Sequence, residues 1–268
     1  MGSGVLGRWR RRRIVGRPFP AMWGQILSRT FPRYVRFSDE DRERIEKLLQ
    51  IFLAEKRFEG AGGLAVDDVV RLTIAAQACW MTLHRDGDIF PDLSSVIVYP
   101  GEYVTRQRVR DEIGVVTEGF QPRLGETAAR GAVVLAWDAA LRGASDAHGG
   151  RSVVLHEFAH LLDAEVGGFD GAPRLPGPSV AEEWANLMSE EFALLQRQVE
   201  RGEPTVLDPY AATRPAEFFA VASEALFLTP SGLARARPRL AAALARYYGW
   251  EIDALQASAW PGDEASEG

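Results

Sequence analysis

Within the apolar run VVLHEFAHLLD, Val153 to Asp163, two histidines stand four residues apart with a glutamate directly after the first. Leu155, Phe158, Ala159 and Leu162 recur at helical spacing, which predicts a helix. Four residues make about one turn, so His156 and His160 lie one above the other, and both imidazoles can reach one metal ion. Glu157 is rotated by about 100 degrees from His156, which takes it out of the ligand set and leaves it beside the open coordination position. Hydrolysis by a zinc-bound water needs that division of labour: two neutral imidazoles, a third protein ligand and a carboxylate that activates the water. The chain has only four histidines, His84, His148, His156 and His160, so chance seldom assembles the pattern. The alternative, a structural helix carrying stray histidines, would bury Glu157 without a partner, at the cost of stability or of its charge.

A catalytic zinc needs a third protein ligand and one open position. No histidine follows His160, so the third ligand is expected to be a carboxylate. The acids downstream are Asp163, Glu165, Asp170, Glu182, Glu183, Glu190, Glu191, Glu200, Glu203, Asp208, Glu217 and Glu224. Most lie in polar or loop segments and read as solvated charges. Glu217 and Glu224 stand inside AEFFAVASEALF, an apolar helix where a carboxylate is out of place without a partner. Seven residues separate them, so they project within about 20 degrees of each other but about 10 Å apart along the axis, and one ion should take only one of them. Asp163, one turn after His160, is placed either to orient a ligand or to neutralise an arginine.

The elements that must position these residues are legible in outline. FSDEDRERIEKLLQIFLAEKRF opens with Ser38 as N-cap and an acidic first turn, and repeats apolar positions at Ile45, Leu48, Leu49 and Phe52. AVDDVVRLTIAAQACWMTLH predicts a more buried helix with Asp67 near its start, Cys79 as a core residue rather than a nucleophile, and His84 as a C-terminal capping group. The pattern then changes to strands in SSVIVYP, IGVVTEGF and GAVVLAWD, with QPRLGETAARG as a connecting loop. GAVVLAWD, directly before the metal helix, is the candidate edge strand for an extended peptide substrate. Helices return in PSVAEEWANLMSEEFALLQRQVERG, RPAEFFAVASEALFL and GLARARPRLAAALARYYGW. Helices, then a small sheet, then helices define an α+β class. A basic cluster from Arg8 to Arg13 lacks the apolar run of an export signal, so residues 1–22 read as a mobile basic tail, with attraction to a membrane surface or a polyanion as the minor alternative. Residues 251–268 read as an acidic, frayed tail. The net charge of −6 gives no reason to expect direct nucleic-acid binding, no segment is long and apolar enough to span a bilayer, and the single cysteine favours a cytoplasmic setting.

VVLHEFAHLLD and DPYAATRPAEFFAVASEALF, with the upstream FLAEKRFEG, AAQACW and VIVYPGEYV, resemble the Mlc titration factor A family of bacterial zinc metallopeptidases, from about Trp23 to Trp250. The resemblance implies one zincin-like domain over residues 23–250, related to the anthrax lethal factor catalytic domain, with a helical part over 23–90 and a catalytic part over 91–250. It implies a glutamate-zincin with a small sheet packed against the HExxH helix and a second, glutamate-bearing helix, and aminopeptidase activity is among those it allows. Carried over position by position, it implies Zn2+ on His156, His160 and Glu217, with Glu157 as base and Tyr210 as hydrogen-bond donor to the transition state. It implies a peptide or protein substrate. It also implies a second role, binding and sequestering an Mlc-type transcriptional repressor, with peptidase activity secondary or absent in that alternative.

Overall fold

The computed structural model describes residues 5–85, 87–101, 107–110, 116–119, 131–145, 151–165, 168 and 170–258. His148, the loop 121–130 and the end of the acidic tail, 259–268, lie outside the described residues.

The Ser38 hydroxyl accepts from the Asp41 N–H at the start of α3 (Asp39–Glu55), and Asp67 Oδ1 accepts from the Val70 N–H at the start of α4 (Asp68–Met81). Both are caps that satisfy N–H groups a helix leaves orphaned. The continuous apolar character of α4 has its reason in its place: every residue from Leu72 to Met81 is buried. Cys79 is fully buried there, and burial pushes its thiol pKa upward, as suits a core residue. His84 does not cap the helix; its Nε2 faces Asp41 Oδ1 at 3.1 Å and its ring packs edge-on against Trp250.

Three strands, β1 (Arg57–Gly60), β2 (Ser95–Tyr99) and β5 (Ala132–Ala136), form a parallel sheet in the order β1-β2-β5. A separate antiparallel pair joins β3 (Gln107–Arg110) to β4 (Val116–Gly119). β1 differs from the expectation: KRF reads as the end of a helix, but Arg57 to Gly60 find partners in Ser95 to Val98. The helical part expected over 23–90 therefore contributes a strand to the same sheet as the catalytic part. β5 does not lead directly into the helix that carries His156 and His160 either. From Trp137 the chain turns into α5 (Trp137–Ser145), so the last two residues of GAVVLAWD are helical. β5 nevertheless lies at an edge of the sheet, with β2 as its partner.

The basic segment expected as a mobile tail is instead helical: α1 (Val5–Val15) packs along α3, and α2 (Ala21–Thr30) follows. At the other end, α11 (Ile252–Ser258) buries Leu255 where an acidic tail was expected. Between them run α6 (Val153–Ala164), α7 (Pro178–Glu200), α8 (Pro215–Leu228), α9 (Pro230–Ala236) and α10 (Pro238–Tyr248). One cluster of buried side chains runs from Leu27 to Leu255 and includes both faces that meet between α6 and α8. Leu155, Phe158 and Leu162 of α6 and Phe218, Phe219 and Leu226 of α8 are almost fully buried. At about 1.5–3 kcal/mol for each large apolar side chain, that contact holds the two helices in register.

Candidate metal centre

α6 begins at Ser152, whose hydroxyl accepts from the Leu155 N–H, so the two histidines lie in the first turn and the second. α8 begins at Pro215, a residue suited to a first helical turn because it lacks an N–H, and Glu217 follows two residues later. Packing α6 on α8 brings Glu217 to both imidazoles. Glu217 Oε2 lies 3.1 Å from His156 Nε2 and 3.3 Å from His160 Nε2, and the two Nε2 atoms are 3.2 Å apart. These three residues form a group able to hold a metal ion, with one ligand atom from each.

Two ring nitrogens and an anionic oxygen that converge so closely repel one another unless a proton or a metal ion stands among them, and a metal site should show that convergence. Without a metal ion, a proton on His156 is held by the same neighbours. Burial disfavours the charged His156 ring, yet its hydrogen bonds to Glu217 and Glu224 outweigh burial and push its pKa up to about 10. Glu217 is fully buried, and burial alone would raise its pKa; the hydrogen bonds of His156 and His160 hold it well below the usual carboxylate range instead. The donor set fits a metal ion.

Glu224 occupies the far side of the same ring. His156 Nδ1 donates to Glu224 Oε1 at 2.7 Å, while Glu224 Oε2 accepts from the Ser152 N–H at 2.8 Å. The two glutamates of α8 thus meet opposite nitrogens of one imidazole. A carboxylate on Nδ1 selects the tautomer that leaves Nε2 free for a metal. The chain of contacts continues inward: Ser152 Oγ donates to Gln77 Oε1 at 2.7 Å, and Gln77 Nε2 donates to the carbonyls of Thr73 and Ala140.

Glu157 is 8% exposed and stands beside His156 in sequence but outside the ligand group. Burial pushes its carboxyl up to about 8 against the lowering influence of His156, with the charges of Glu217 and Glu224 adding to the rise. Tyr210 lies in a 3-10 turn, Pro209–Ala212, that Asp208 caps. Its side chain is half exposed and its ring centroid is 6.4 Å from that of His156, so it belongs to the rim of the site rather than to the core. Burial and the charge of Glu217 raise its pKa. Asp163 does not bond to His160 among the described contacts. Its Oδ2 accepts from the Gly171 N–H at 3.0 Å, and Gly171 in turn accepts from Trp184 Nε1. Gly171 has a φ of 76°, and a Cβ there would come within 2.7 Å of the Pro215 carbonyl, so this glycine lets the loop press on the first turn of α8.

Arg214 was missed. Its Nη2 donates to Glu217 Oε1 at 2.6 Å, which occupies the carboxylate oxygen that the histidines do not face. The signal was present, since an arginine three residues before a glutamate at a helix start is a spaced pair. Ser152 and Gln77 also carried signals, the first as a hydroxyl before an apolar helical run and the second as an amide inside AAQACW.

Paired imidazoles and a carboxylate on two packed helices, with a further buried glutamate beside them, are the marks of a metal-dependent hydrolase, and here of a metallopeptidase-like protein. The chain belongs to the glucose-regulated metallo-peptidase M90 family, whose model matches residues 6–249. Among its relatives, an uncharacterized protein of Synechocystis sp. is 36% identical over 241 residues, 90% of this chain and 88% of the relative. The Mlc titration factor A of Klebsiella pneumoniae is 31% identical over 237 residues, 87% of each chain. That of Pectobacterium atrosepticum is 29% identical over 229 residues, 84% of each. No helix among the described residues is long and apolar enough to cross a membrane.

Proposed function

We propose that the protein is a cytoplasmic, zinc-dependent peptidase of the zincin-like, glutamate-zincin type. The observation that carries the reading is the convergence of His156, His160 and Glu217, with donor separations of 3.1, 3.2 and 3.3 Å. Donors about 2.0 Å from a tetrahedral zinc ion stand about 3.3 Å apart, and a nitrogen and oxygen donor set suits that ion. When bound, zinc supplies Lewis acidity that lowers the pKa of water and polarises the scissile carbonyl.

The residues of the chain do the rest. Glu157 takes a proton from the attacking water as its oxygen bonds to the peptide carbon, and delivers that proton to the amine as the carbon–nitrogen bond breaks. Tyr210, at the rim, donates a hydrogen bond to the oxyanion that develops on the carbonyl oxygen. Arg214 and Glu224 position Glu217 and His156. β5, an edge strand of the sheet, offers backbone groups to an extended peptide. Glu157→Gln should keep about one equivalent of zinc while turnover of chromogenic aminoacyl and peptide substrates falls by at least about 100-fold. Zinc retention with full turnover would remove Glu157 from this role. The names of the relatives favour a second reading, in which this protein also binds a repressor of the Mlc type.

A further inference from the structure

α1, VLGRWRRRRIV, carries five arginines and no acid in a chain of net charge −6, which leaves the remainder of the protein at −11. The five do not share one role. Arg11 turns inward: its Nε and Nη2 donate to the two carboxylate oxygens of Glu55 at 2.7 and 2.8 Å, and its Nη1 donates to Asp88. This two-pronged pairing fixes α1 on the end of α3 and sets its rotation. Arg8, Trp9, Arg10, Arg12 and Arg13 are consequently all exposed. None of those four arginines forms an ion pair among the described residues, and Trp9 is 62% exposed with the Arg13 guanidinium 5.8 Å from its ring centroid. A tryptophan left in water is unusual, since its large ring contributes most when it is removed from water.

We propose that α1 docks the protein reversibly on anionic lipid membranes, with phospholipid phosphates received by Arg8, Arg10, Arg12 and Arg13 and the Trp9 ring seated at headgroup level. A tryptophan with basic neighbours suits that interface, because its apolar body meets the acyl boundary while its indole N–H stays among polar groups. Shape and charge distribution favour a membrane over a nucleic acid. A single strand asks for a basic groove that follows its backbone, and a duplex asks for positive charge spread over a wide face. Here four exposed arginines and a tryptophan stand on one helix about 16 Å long, with no acid in it. A lipid surface can meet the exposed face of that helix, where the four arginines flank Trp9.

The test is co-sedimentation of the full chain with vesicles of phosphatidylcholine alone and with about a third phosphatidylglycerol, at low and high salt. Strong partitioning to the anionic vesicles only, reversed by salt, is expected. Each arginine near the surface contributes about fivefold, so replacing all four by glutamine (Arg8→Gln, Arg10→Gln, Arg12→Gln, Arg13→Gln) should cost on the order of several hundredfold. Trp9→Ala should cost severalfold more lightly, and both variants should keep the thermal stability and peptidase activity of the parent, because neither touches the metal centre. Equal binding to neutral vesicles, no binding to anionic ones, or full binding by the four-glutamine variant would overturn the proposal. So would an RNA oligonucleotide that binds through the same arginines more tightly than the vesicles do.

Discussion

Glu224→Gln isolates what the second glutamate of α8 does. In the parent, one carboxylate serves two donors, with Oε1 2.7 Å from His156 Nδ1 and Oε2 2.8 Å from the Ser152 nitrogen. Glutamine has nearly the same shape but one acceptor oxygen. If that oxygen keeps the imidazole, the amide NH2 faces the Ser152 N–H, and a buried unsatisfied donor costs about 1–3 kcal/mol. If it keeps Ser152, the NH2 faces Nδ1 and selects the tautomer with a proton on Nε2, the nitrogen that must bind the metal. Either arrangement weakens the ligand, and the charge-assisted bond is lost in both. The expected result is a 10- to 100-fold rise in the zinc dissociation constant, about 1.4–2.8 kcal/mol. It is measured by competition with a chromophoric chelator. Glu217→Ala, which removes a proposed ligand, should lose more zinc than either Glu224→Gln or Glu224→Ala. Zinc affinity within about twofold of the parent in Glu224→Gln would refute the reasoning, as would stoichiometric zinc in Glu217→Ala beside its loss in Glu224→Ala.

Tyr210→Phe should leave zinc content and thermal stability nearly unchanged and lower kcat on the order of 100-fold, with little rise in KM, because the phenol acts on charge that exists only in the transition state. An effect confined to stability would instead make it a packing residue. The metal-free protein, prepared with a chelator, should lose stability as pH rises. The folded His156 holds its proton up to about 10 against 6.5 ordinarily, so its contribution is complete below 6.5 and fades toward 10; Glu157, raised from 4.5 to about 8, adds a loss over that earlier range. Glu217 acts oppositely, stabilising above 4.5 and losing its contribution as pH falls below that value. Thermal unfolding between about pH 6 and about pH 9 checks the slope, which Glu157→Gln should make shallower, and a flat profile would contradict the assignments.

The helix that carries the candidate metal residues was legible because their relation is local: His156, Glu157 and His160 lie within five residues, so helical periodicity alone relates them. The two glutamates of α8 stood out for a different reason, as charges in an apolar run. What sequence spacing could not supply was the partner of each, since the assignment of Glu217 to Nε2 and Glu224 to Nδ1 depends on how α8 crosses α6. β1 escaped notice because its stability comes from pairing with β2, 38 residues further along, and not from its own polar residues Arg57 and Glu59. α1 read as a tail because its charge suggests solvation, and the acids that receive Arg11 lie 44 and 77 residues further along.

The two functional readings differ in what they ask of Glu157. A surface that only captures a repressor needs the fold and tolerates any well-packed residue at that position. A purely structural metal would ordinarily have its fourth position closed by protein, and a carboxylate beside it would add nothing. Burial has raised the Glu157 carboxyl to about 8, so its ionisation in the metal-free protein runs against stability. Such local costs persist where chemistry uses the group, and a glutamate next to a bound cation recovers its charge in the place where a proton must be taken from water. Repressor binding places no demand on that residue and can coexist with hydrolysis on the same molecule. The three converging residues support a bound metal, and Glu157 is what separates a hydrolase from a protein that only holds one.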